Sequence, residues 1–493
     1  MQAAMEGVLY VLNHFPFLFI GVAGGILVGA LPGLSGSTGI ILLLPFLLYV
    51  EPAEALIMMS GMFCGSMYGG SISAILISTP GTPSAAATVL DGYPLAKQGK
   101  AGKALAVSTI ASTAGGVVST LCLILLAPQL AKLALKFGPA EYFALMIFGL
   151  TIMASVSASS LLKGLLSGFF GLMLAMVGLD PILGTPRFTF GITRFLTGFP
   201  MVPVLIGLFA FSEVFGQLEA LGKKAIPHVE KVRSSLPSWK ELKELVPVIL
   251  GSSLLGTIIG IIPATGGAIA SFMAYNEARR FSKHPETFGT GELAGIAAPE
   301  AANNGTTGGA MIPMLTLGIP GDVVTAVMLG ALLLIGVRPG PLLFSQTPHI
   351  IHALFAGFML AQFLILALGL ITIPLFPKVL KVPVGILYPI VLGLCFLGAY
   401  SYGNSVYDMG LAIVFGILGY FMKKHGFSAA PTILGLILGP LAEQELGRAL
   451  IISHGDWTVL FKSPIALLFY GLACLSVWYS LRGVSKAKTR GGR

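Results

Sequence analysis

The sequence predicts an all-α polytopic membrane protein of about 10–13 spans, built as two internally repeated, inverted halves with re-entrant or broken helices. The first observation is composition: 55% of the 493 residues are hydrophobic and 10% are charged, whereas soluble domains carry about 25% charged residues. The second is that apolar runs long enough to cross a bilayer recur along nearly the whole chain. The third is that clusters of glycine, proline and hydroxyl residues interrupt these runs at corresponding places in the two halves.

The apolar runs are continuous, which favours helices over the alternating strands of a membrane barrel. The first run lacks a basic n-region and a clear cleavage site, so we expect a retained helix and not a signal peptide. The basic residues that give the net charge of +9 lie in loops and in the tail "RGVSKAKTRGGR". The positive-inside rule predicts that this tail is cytoplasmic. The positive net charge does not indicate a nucleic-acid partner. The four cysteines form no CxxC pair, which indicates neither a disulfide framework nor a metal site.

The two halves carry related motifs in the same order. "VGALPGLSGSTG" (28–39) corresponds to "IGIIPATGGAIA" (259–270), and "LISTPGTPSAAATVLDGYP" (76–94) to "TLGIPGDVVTAVMLGALLLIGVRP" (316–339). Pro263 follows Pro32 by 231 residues, and Pro320 follows Pro80 by 240. We therefore predict a first membrane repeat (1–216), a polar connecting loop (217–244), a second membrane repeat (245–450), and a C-terminal helix with a basic tail (451–493).

Helix interruptions at corresponding points of repeated halves indicate the binding site of a secondary transporter. Non-helical backbone is tolerated at membrane depth only where protein covers it or where it lines a wet cavity. Restarting helices also present free amides and partial positive charge to an anion. The residues predicted to bind substrate are Pro32, Gly33, Ser35, Gly36, Ser37, Pro80, Gly81, Thr82, Thr265, Gly266, Gly267, Pro320 and Gly321.

A polar stretch lies between apolar runs in the second half, "GIAAPEAANNGTTGGAMIPMLTLGIPGD" (295–322), and it includes Glu300. Ionisable groups inside membranes are costly and indicate function. We predict a cation site with Na⁺ as the coupling ion, formed by Asn303, Asn304, Thr306 and Asp322. Two alternatives stay open: Asp322 as a helix N-cap, and the asparagines as donors in helix–helix hydrogen bonds.

Motifs for other chemistry are absent or weak. The sequence has no GxxxxGK[ST], HExxH or DDxxD pattern, so ATP hydrolysis, zinc hydrolysis and prenyl transfer lack their required groups. We expect no cofactor beyond the coupling ion. "GLSG" (33–36) matches the GxSG of rhomboid-type proteases. The alternative function is therefore an intramembrane serine hydrolase with Ser35 as nucleophile and His352 as the candidate base.

Several longer segments together resemble the TctA family, the large membrane (permease) subunit of the bacterial tripartite tricarboxylate transporters. They are "GALPGLSGSTGIILLLPF", "YGGSISAILISTPGTPSAAATVLDGYPLAKQGKAGKAL", "FGPAEYFAL", "DPILGTPRFTFG", "AAPEAANNGTTGGAMIPMLTLGIPGD" and "GVRPGPLLF". The resemblance extends from about residue 15 to 445. One departure is Pro263-Ala264-Thr265, where the family usually has Pro-Gly.

The resemblance implies a cation-coupled importer of small carboxylates of the tricarboxylate type, with Na⁺ as the cation, and not an enzyme. It implies two partners, a small membrane subunit of TctB type and a periplasmic solute-binding protein of TctC type that delivers the substrate. It also implies the bacterial inner membrane as the location.

Overall fold

The computed structural model describes residues 2–157, 161–220, 232–263 and 265–490. Within these ranges the chain is helical apart from its connections and one short antiparallel pair, β1 (Gly178–Leu179) with β2 (Pro186–Arg187). The predicted all-α class is confirmed. The helices are α1 (Gln2–Asn13), α2 (Phe15–Ala30), α3 (Gly36–Leu47), α4 (Pro52–Ile77), α5 (Val89–Leu95), α6 (Ala101–Ala134), α7 (Pro139–Ser157), α8 (Leu161–Ala175), α9 (Met201–Leu205), α10 (Ser212–Ala220), α11 (Trp239–Ile261), α12 (Gly266–Phe281), α13 (Leu293–Leu317), α14 (Val323–Leu334), α15 (Leu343–Gln346), α16 (Pro348–Ile371), α17 (Phe376–Val379), α18 (Val384–Gly403), α19 (Val406–Lys424), α20 (Ala429–Ile452), α21 (Val459–Lys462) and α22 (Pro464–Arg490).

The helices form two compact units, and each unit takes segments from both halves of the chain. The first unit comprises Met1–Ala131 and Gly216–Gly398, and the second comprises Lys132–Phe215 and Ala399–Arg493. The predicted repeats (1–216 and 245–450), connecting loop (217–244) and C-terminal segment (451–493) are divisions of the sequence, which this clustering does not test. Helices α10 and α11 extend into the predicted loop from both sides, and residues 221–231 lie outside the described ranges.

In the first unit, α2 packs along α4, and α11 packs along α13, through glycines at the contact. A β-carbon added at Gly69 would lie 2.5 Å from the carbonyl oxygen of Ile26, and one at Gly309 would lie 2.4 Å from that of Thr257. Small residues let helix backbones approach this closely in membranes. Gly309 follows Gly69 by 240 residues and Thr257 follows Ile26 by 231, the offsets of the paired prolines. Two-fold repetition and its inversion nevertheless stay predictions.

Helices α4 and α13 end in the same way. Ser78, after α4, has φ +57°, and Gly318, after α13, has φ +71°. The left-handed conformation at this position is a common way to close a helix. The chain resumes helical structure five residues later in each case, at Pro83 and at Val323. Both α4 and α13 are thus followed by a short non-helical break.

Seven described helices are long and apolar enough to cross a membrane, or up to eight if the bent pair Met5–Asn13 and Phe15–Ala30 is one span. Five further apolar helices have 10–17 residues. The chain is a multi-pass membrane protein. The predicted 10–13 spans included split and re-entrant pieces, and breaks do divide several apolar runs into shorter helices. The exact number of spans stays a prediction. The 25-residue α13 is absent from the apolar set, although every residue from Gly295 to Thr316 is buried.

The second unit packs α7 and α8 against α20, and α22 against α7. A β-carbon at Gly171 on α8 would lie 1.9 Å from the carbonyl oxygen of Thr432 on α20. In the β1–β2 hairpin, Arg187 pairs with Glu443 of α20 (Nη2 to Oε2, 2.9 Å) and with Asp180 (3.3 Å). The arginine therefore anchors the hairpin to α20.

Candidate functional site

The first break, before α3, carries a cluster of hydroxyl groups. Pro32 and Gly33 lie between α2 and α3, and Gly33 has φ +94°. Ser35 caps α3: the amide of Thr38 donates to its Oγ at 3.4 Å. The same Oγ lies 2.7 Å from Ser37 Oγ and 3.1 Å from the Thr38 hydroxyl. Three hydroxyls therefore surround the N-terminus of α3, where the helix dipole favours negative charge.

The second break, after α4, is packed against the end of α2. The amide of Gly81 donates to the carbonyl of Gly70 at 3.1 Å. A β-carbon at Gly81 would lie 1.9 Å from the carbonyl oxygen of Gly29. The hydroxyls of Thr82 and Ser84 are 3.1 Å apart and both residues are buried. Pro80 is half-buried at the start of the turn.

The third break lies between α11 and α12. Thr265 Oγ1 donates to the carbonyls of Ile262 at 2.8 Å and Ile259 at 2.5 Å. Its hydroxyl therefore closes the end of α11. Gly266 follows with φ +63°. Pro263 is described, but Ala264, where the chain departs from the Pro-Gly pattern, lies outside the described residues.

The fourth break, Pro320-Gly321-Asp322, leads into α14. Asp322 is its N-cap: Oδ1 accepts from the amide of Thr325 at 2.7 Å and from its hydroxyl at 2.7 Å. The amide of Asp322 donates back to the Thr325 hydroxyl at 2.9 Å. The structure thus shows the helix-cap alternative for Asp322, and whether it also contacts a cation stays a prediction.

The four breaks, distant in sequence, lie against one another within the first unit. A β-carbon at Gly36 would lie 3.4 Å from Val324 Cγ2, which joins the first break to the start of α14. One at Gly266 would lie 3.8 Å from Asp322 Cβ. One at Gly267 would lie 2.9 Å from Ser84 Cβ, so the third break touches the segment after the second.

The asparagines of α13 connect the breaks to the long helices. Asn303 Nδ2 donates to the carbonyl of Met67 on α4 at 3.0 Å, so the helix–helix alternative is correct for this group. Asn304 Nδ2 donates to the carbonyl of Glu300 at 3.3 Å. Thr306 Oγ1 donates to the Asn303 carbonyl at 2.6 Å.

The amide nitrogens of Asn303 and Asn304 have hydrogen-bond partners but, among the described residues, their amide oxygens do not. In the described chain, the buried Oδ1 atoms of Asn303 and Asn304 accept no hydrogen bond. Asn303 Oδ1 would lie 2.5 Å from a β-carbon at Gly267, so it faces the third break. A buried oxygen without a donor is costly and is free to contact a cation.

The family model described as the tripartite tricarboxylate transporter TctA family matches residues 15–434. The chain belongs to the TctA family. The match covers both halves and all four breaks, as the resemblance in the sequence predicted.

Two relatives come from Agrobacterium vitis. An uncharacterized 52.8 kDa protein in the TAR-I ttuC' 3' region is 40% identical over 461 residues, which is 93% of this chain and 92% of the relative. An uncharacterized protein in the TAR-II ttuC' 3' region is 40% identical over 222 residues, 45% of this chain and 92% of that protein. No solved structure matches the chain.

TctA-family chains are membrane subunits of tripartite transporters, which work with other subunits, and they are not enzymes. The hydrolase alternative also lacks its geometry. Within the described chain, the hydrogen bonds of Ser35 go to Ser37 and Thr38, and none goes to a histidine. The carbonyl of His352 instead packs on α1, 2.6 Å from where a β-carbon at Gly7 would be.

One buried acid of this TctA-family chain, Glu300, belongs to neither of the predicted sites. Glu300 accepts hydrogen bonds from Thr88 Oγ1 at 2.5 Å, Ser112 Oγ at 2.9 Å and Ser108 Oγ at 3.2 Å. The signals in the sequence were weak: an acid in a polar stretch, and two serines four residues apart in an apolar run. Nothing in the sequence indicated that these groups meet.

Proposed function

We propose that this TctA-family subunit imports small carboxylates of the tricarboxylate type by cation-coupled secondary transport. The observation that carries the proposal is the meeting of four helix breaks from distant parts of the sequence. Broken helices that meet inside a membrane protein are where secondary transporters bind substrate and coupling ions.

The breaks have the chemistry of a weak anion site. The N-terminus of α3 presents the hydroxyls of Ser35 and Ser37, and Thr82 lies in the adjacent second break. A favourable helix terminus contributes typically ~0.3–1 kcal/mol to the binding of an anion. None of the four breaks contains Lys or Arg. Several weak contacts suit a carrier, because a tight ion pair would slow release of the substrate.

The coupling cation in this proposal is Na⁺, held by Asn303, Asn304, Thr306 and Asp322. The unpaired oxygens of the two asparagines support this assignment, since oxygen atoms at broken helices coordinate Na⁺ in secondary transporters. Asn303 Oδ1 faces Gly267 of the third break. A cation there would offset the cost of moving the substrate carboxylate out of water.

The proposed assembly includes a small membrane subunit of TctB type and a periplasmic solute-binding protein of TctC type. The family's tripartite character supports this part. We place the assembly in a bacterial inner membrane with the C-terminal tail in the cytoplasm, and we propose that the two repeats are inverted across the membrane plane.

Uptake of radiolabelled di- and tricarboxylates in a strain lacking this chain tests the proposal. Complementation with the intact chain should restore uptake of at least one acid, and replacing Na⁺ with choline should reduce it. If uptake is restored but is the same in Na⁺ and in choline, the proposed coupling to Na⁺ is contradicted. No difference between strains for any acid, with the protein present in the membrane, would contradict the proposed function.

A further inference from the structure

Glu300 is a buried acid without a basic partner. It lies about two turns into α13 and its side chain has no exposed surface. Its hydrogen-bond donors come from other segments: Thr88 precedes α5, and Ser108 and Ser112 lie on α6. Among the residues that the structure describes, Glu300 makes no salt bridge to Lys, Arg or His.

Hydroxyl groups alone do not neutralise the negative charge of an ionised Glu300 carboxylate. They donate hydrogen bonds to it, but they carry no formal charge, and an isolated buried carboxylate is strongly unfavourable. A bound cation or a proton has to neutralise it. Each hydroxyl has acceptor lone pairs as well as its proton, so the same oxygens can turn toward a cation or accept the proton of the acid.

The acid is next to the proposed transport site. On α13, Asn303 and Asn304 follow Glu300 by three and four residues, so each lies about one turn from Glu300 on the same side of the helix. Asn304 donates to the Glu300 carbonyl at 3.3 Å, and Asn303 reaches the third break. A change in the charge of Glu300 can therefore affect the breaks through one turn of α13.

We propose that Glu300, Thr88, Ser108 and Ser112 form a site for one monovalent cation, H⁺ or Na⁺, whose occupancy is coupled to transport. The inference rests on the proposed function and adds to it a site outside the four breaks. A single carboxylate matches a single positive charge. Within the described ranges no group of three His, Cys, Asp or Glu residues is placed to hold a metal, whereas divalent cations favour several carboxylates.

The other titratable groups around this site have partners of their own. On α4, Tyr68 bonds to Thr109 at 2.8 Å, and Cys64 is 3.2 Å from the Gln362 amide. Asp91 on α5 accepts from three backbone amides, those of Gly289, Gly291 and Glu292, each at 2.8 Å, and from the hydroxyl of Tyr275 on α12 at 2.9 Å. Among the residues that the structure describes, Glu300 differs from Asp91 because all of its donors are side-chain hydroxyls.

The test is Glu300→Gln, which keeps the size and removes the charge. Glu277→Gln is the matched control, because Glu277 is a half-exposed acid on α12 that pairs only with the exposed Arg280 of its own helix in the part of the chain that the structure describes. Uptake is measured against Na⁺ concentration and against pH. The midpoint of thermal unfolding of the purified protein is measured in NaCl, in choline chloride and across the same pH range, which reports on the site without transport.

If Na⁺ is the cation, NaCl should raise the unfolding midpoint of the parent protein and of Glu277→Gln, and this rise should be lost in Glu300→Gln. If H⁺ is the cation, the pH dependence of uptake and of the midpoint should flatten in Glu300→Gln. Ser112→Ala and Thr88→Val keep the acid and each removes one hydroxyl. If Na⁺ is the cation, each should raise the half-saturating Na⁺ concentration about tenfold, because one oxygen that can contact the cation is lost. If H⁺ is the cation, each should move the pH dependence to higher pH, because a hydrogen bond to the charged form of the acid is lost.

Parent-like dependence on both Na⁺ and pH in Glu300→Gln would overturn the proposal. If Glu300→Gln does not fold, parent-like cation dependence in Ser112→Ala and Thr88→Val would overturn it instead. Absence of carboxylate uptake by the parent protein would count against the proposed function, while the unfolding measurements would still decide the cation site.

Discussion

Gly81 lies directly against the backbone of Gly29, where a β-carbon would come within 1.9 Å of the Gly29 carbonyl oxygen. The corresponding pair in the second half is Gly321 with Gly260, where the distance would be 2.8 Å. The turn after one long helix therefore rests on the last turn of its neighbour in both halves. We therefore expect the positions of the second and fourth breaks to depend on these two contacts.

Gly81→Ala should displace the second break, because the alanine methyl group has no room beside Gly29. Overpacking of this kind typically costs ~1–3 kcal/mol or more, and uptake should fall because Thr82 moves with the turn. Denaturant unfolding and uptake measure the two effects. Gly251→Ala on α11 is the control, since a β-carbon there meets nothing within 4 Å. Normal uptake by Gly81→Ala would show that the break tolerates displacement.

Ser35→Ala combined with Ser37→Ala should raise KM for the carboxylate more than it lowers the maximal rate. The pair removes two hydroxyls from the N-terminus of α3, and loss of the Ser35 cap should cost about 1 kcal/mol of stability. Concentration-dependent uptake separates the two parameters. Ser345→Ala, an exposed serine on α15, is the control. An unchanged KM in the double variant would remove these hydroxyls from the substrate site.

Asp322→Asn distinguishes the helix cap from a cation ligand. Asparagine caps helices about as well as aspartate, so stability should be retained while the negative charge is lost. If the charge contacts Na⁺, the half-saturating Na⁺ concentration should rise by roughly tenfold or more. Asn304→Ala should act in the same direction by removing an unpaired oxygen. Both variants must be shown to reach the membrane, and unchanged Na⁺ dependence in both would exclude this cation site.

The hairpin of the second unit should loosen in acid. The pKa of Asp180 lies below its ordinary value because the amides of Leu183 and Ile182 donate to it and Arg187 lies nearby. A carboxyl whose pKa is lowered by folding stabilises the folded form above its unfolded pKa of about 3.9. That contribution is lost as pH falls through the folded pKa.

Hydrogen exchange at Ile182 and Leu183 measures this effect. In Asp180→Ala both amides should exchange faster at neutral pH, because their acceptor is gone. Asp180→Asn retains an acceptor oxygen and should protect them without the acid sensitivity. Equal protection in the alanine variant and the parent would mean that other contacts hold the hairpin.

The tail after Leu481 should be cytoplasmic, because it carries five Lys/Arg residues and no acid. A reporter that is active only in the cytoplasm, fused after Arg493, should be active, and a periplasm-specific reporter at the same point should be silent. The reverse pattern would invert the proposed orientation.

The helical class and the positions of the breaks could be predicted because both are local. An apolar run and a cluster such as Pro80-Gly81-Thr82 are visible within a few residues. Hydropathy alone could not give the exact number of spans, since breaks divide several apolar runs into helices too short to cross a bilayer alone. The partners of Glu300 could not be predicted, because Thr88 is 212 residues away and Ser112 is 188. Only the packing of α5 and α6 against α13 brings them to the acid.

The burial of α13 also bears on how the protein is made. Every residue from Gly295 to Thr316 is covered by other parts of the chain, and the helix is rich in glycine, amides and hydroxyls. Such a segment gains little from contact with lipid acyl chains and partitions poorly as a single helix leaving the translocon. Its neighbours α4, α6 and α11 precede it in the chain and are synthesised first. Its entry into the bilayer therefore depends on these earlier helices being present to receive it.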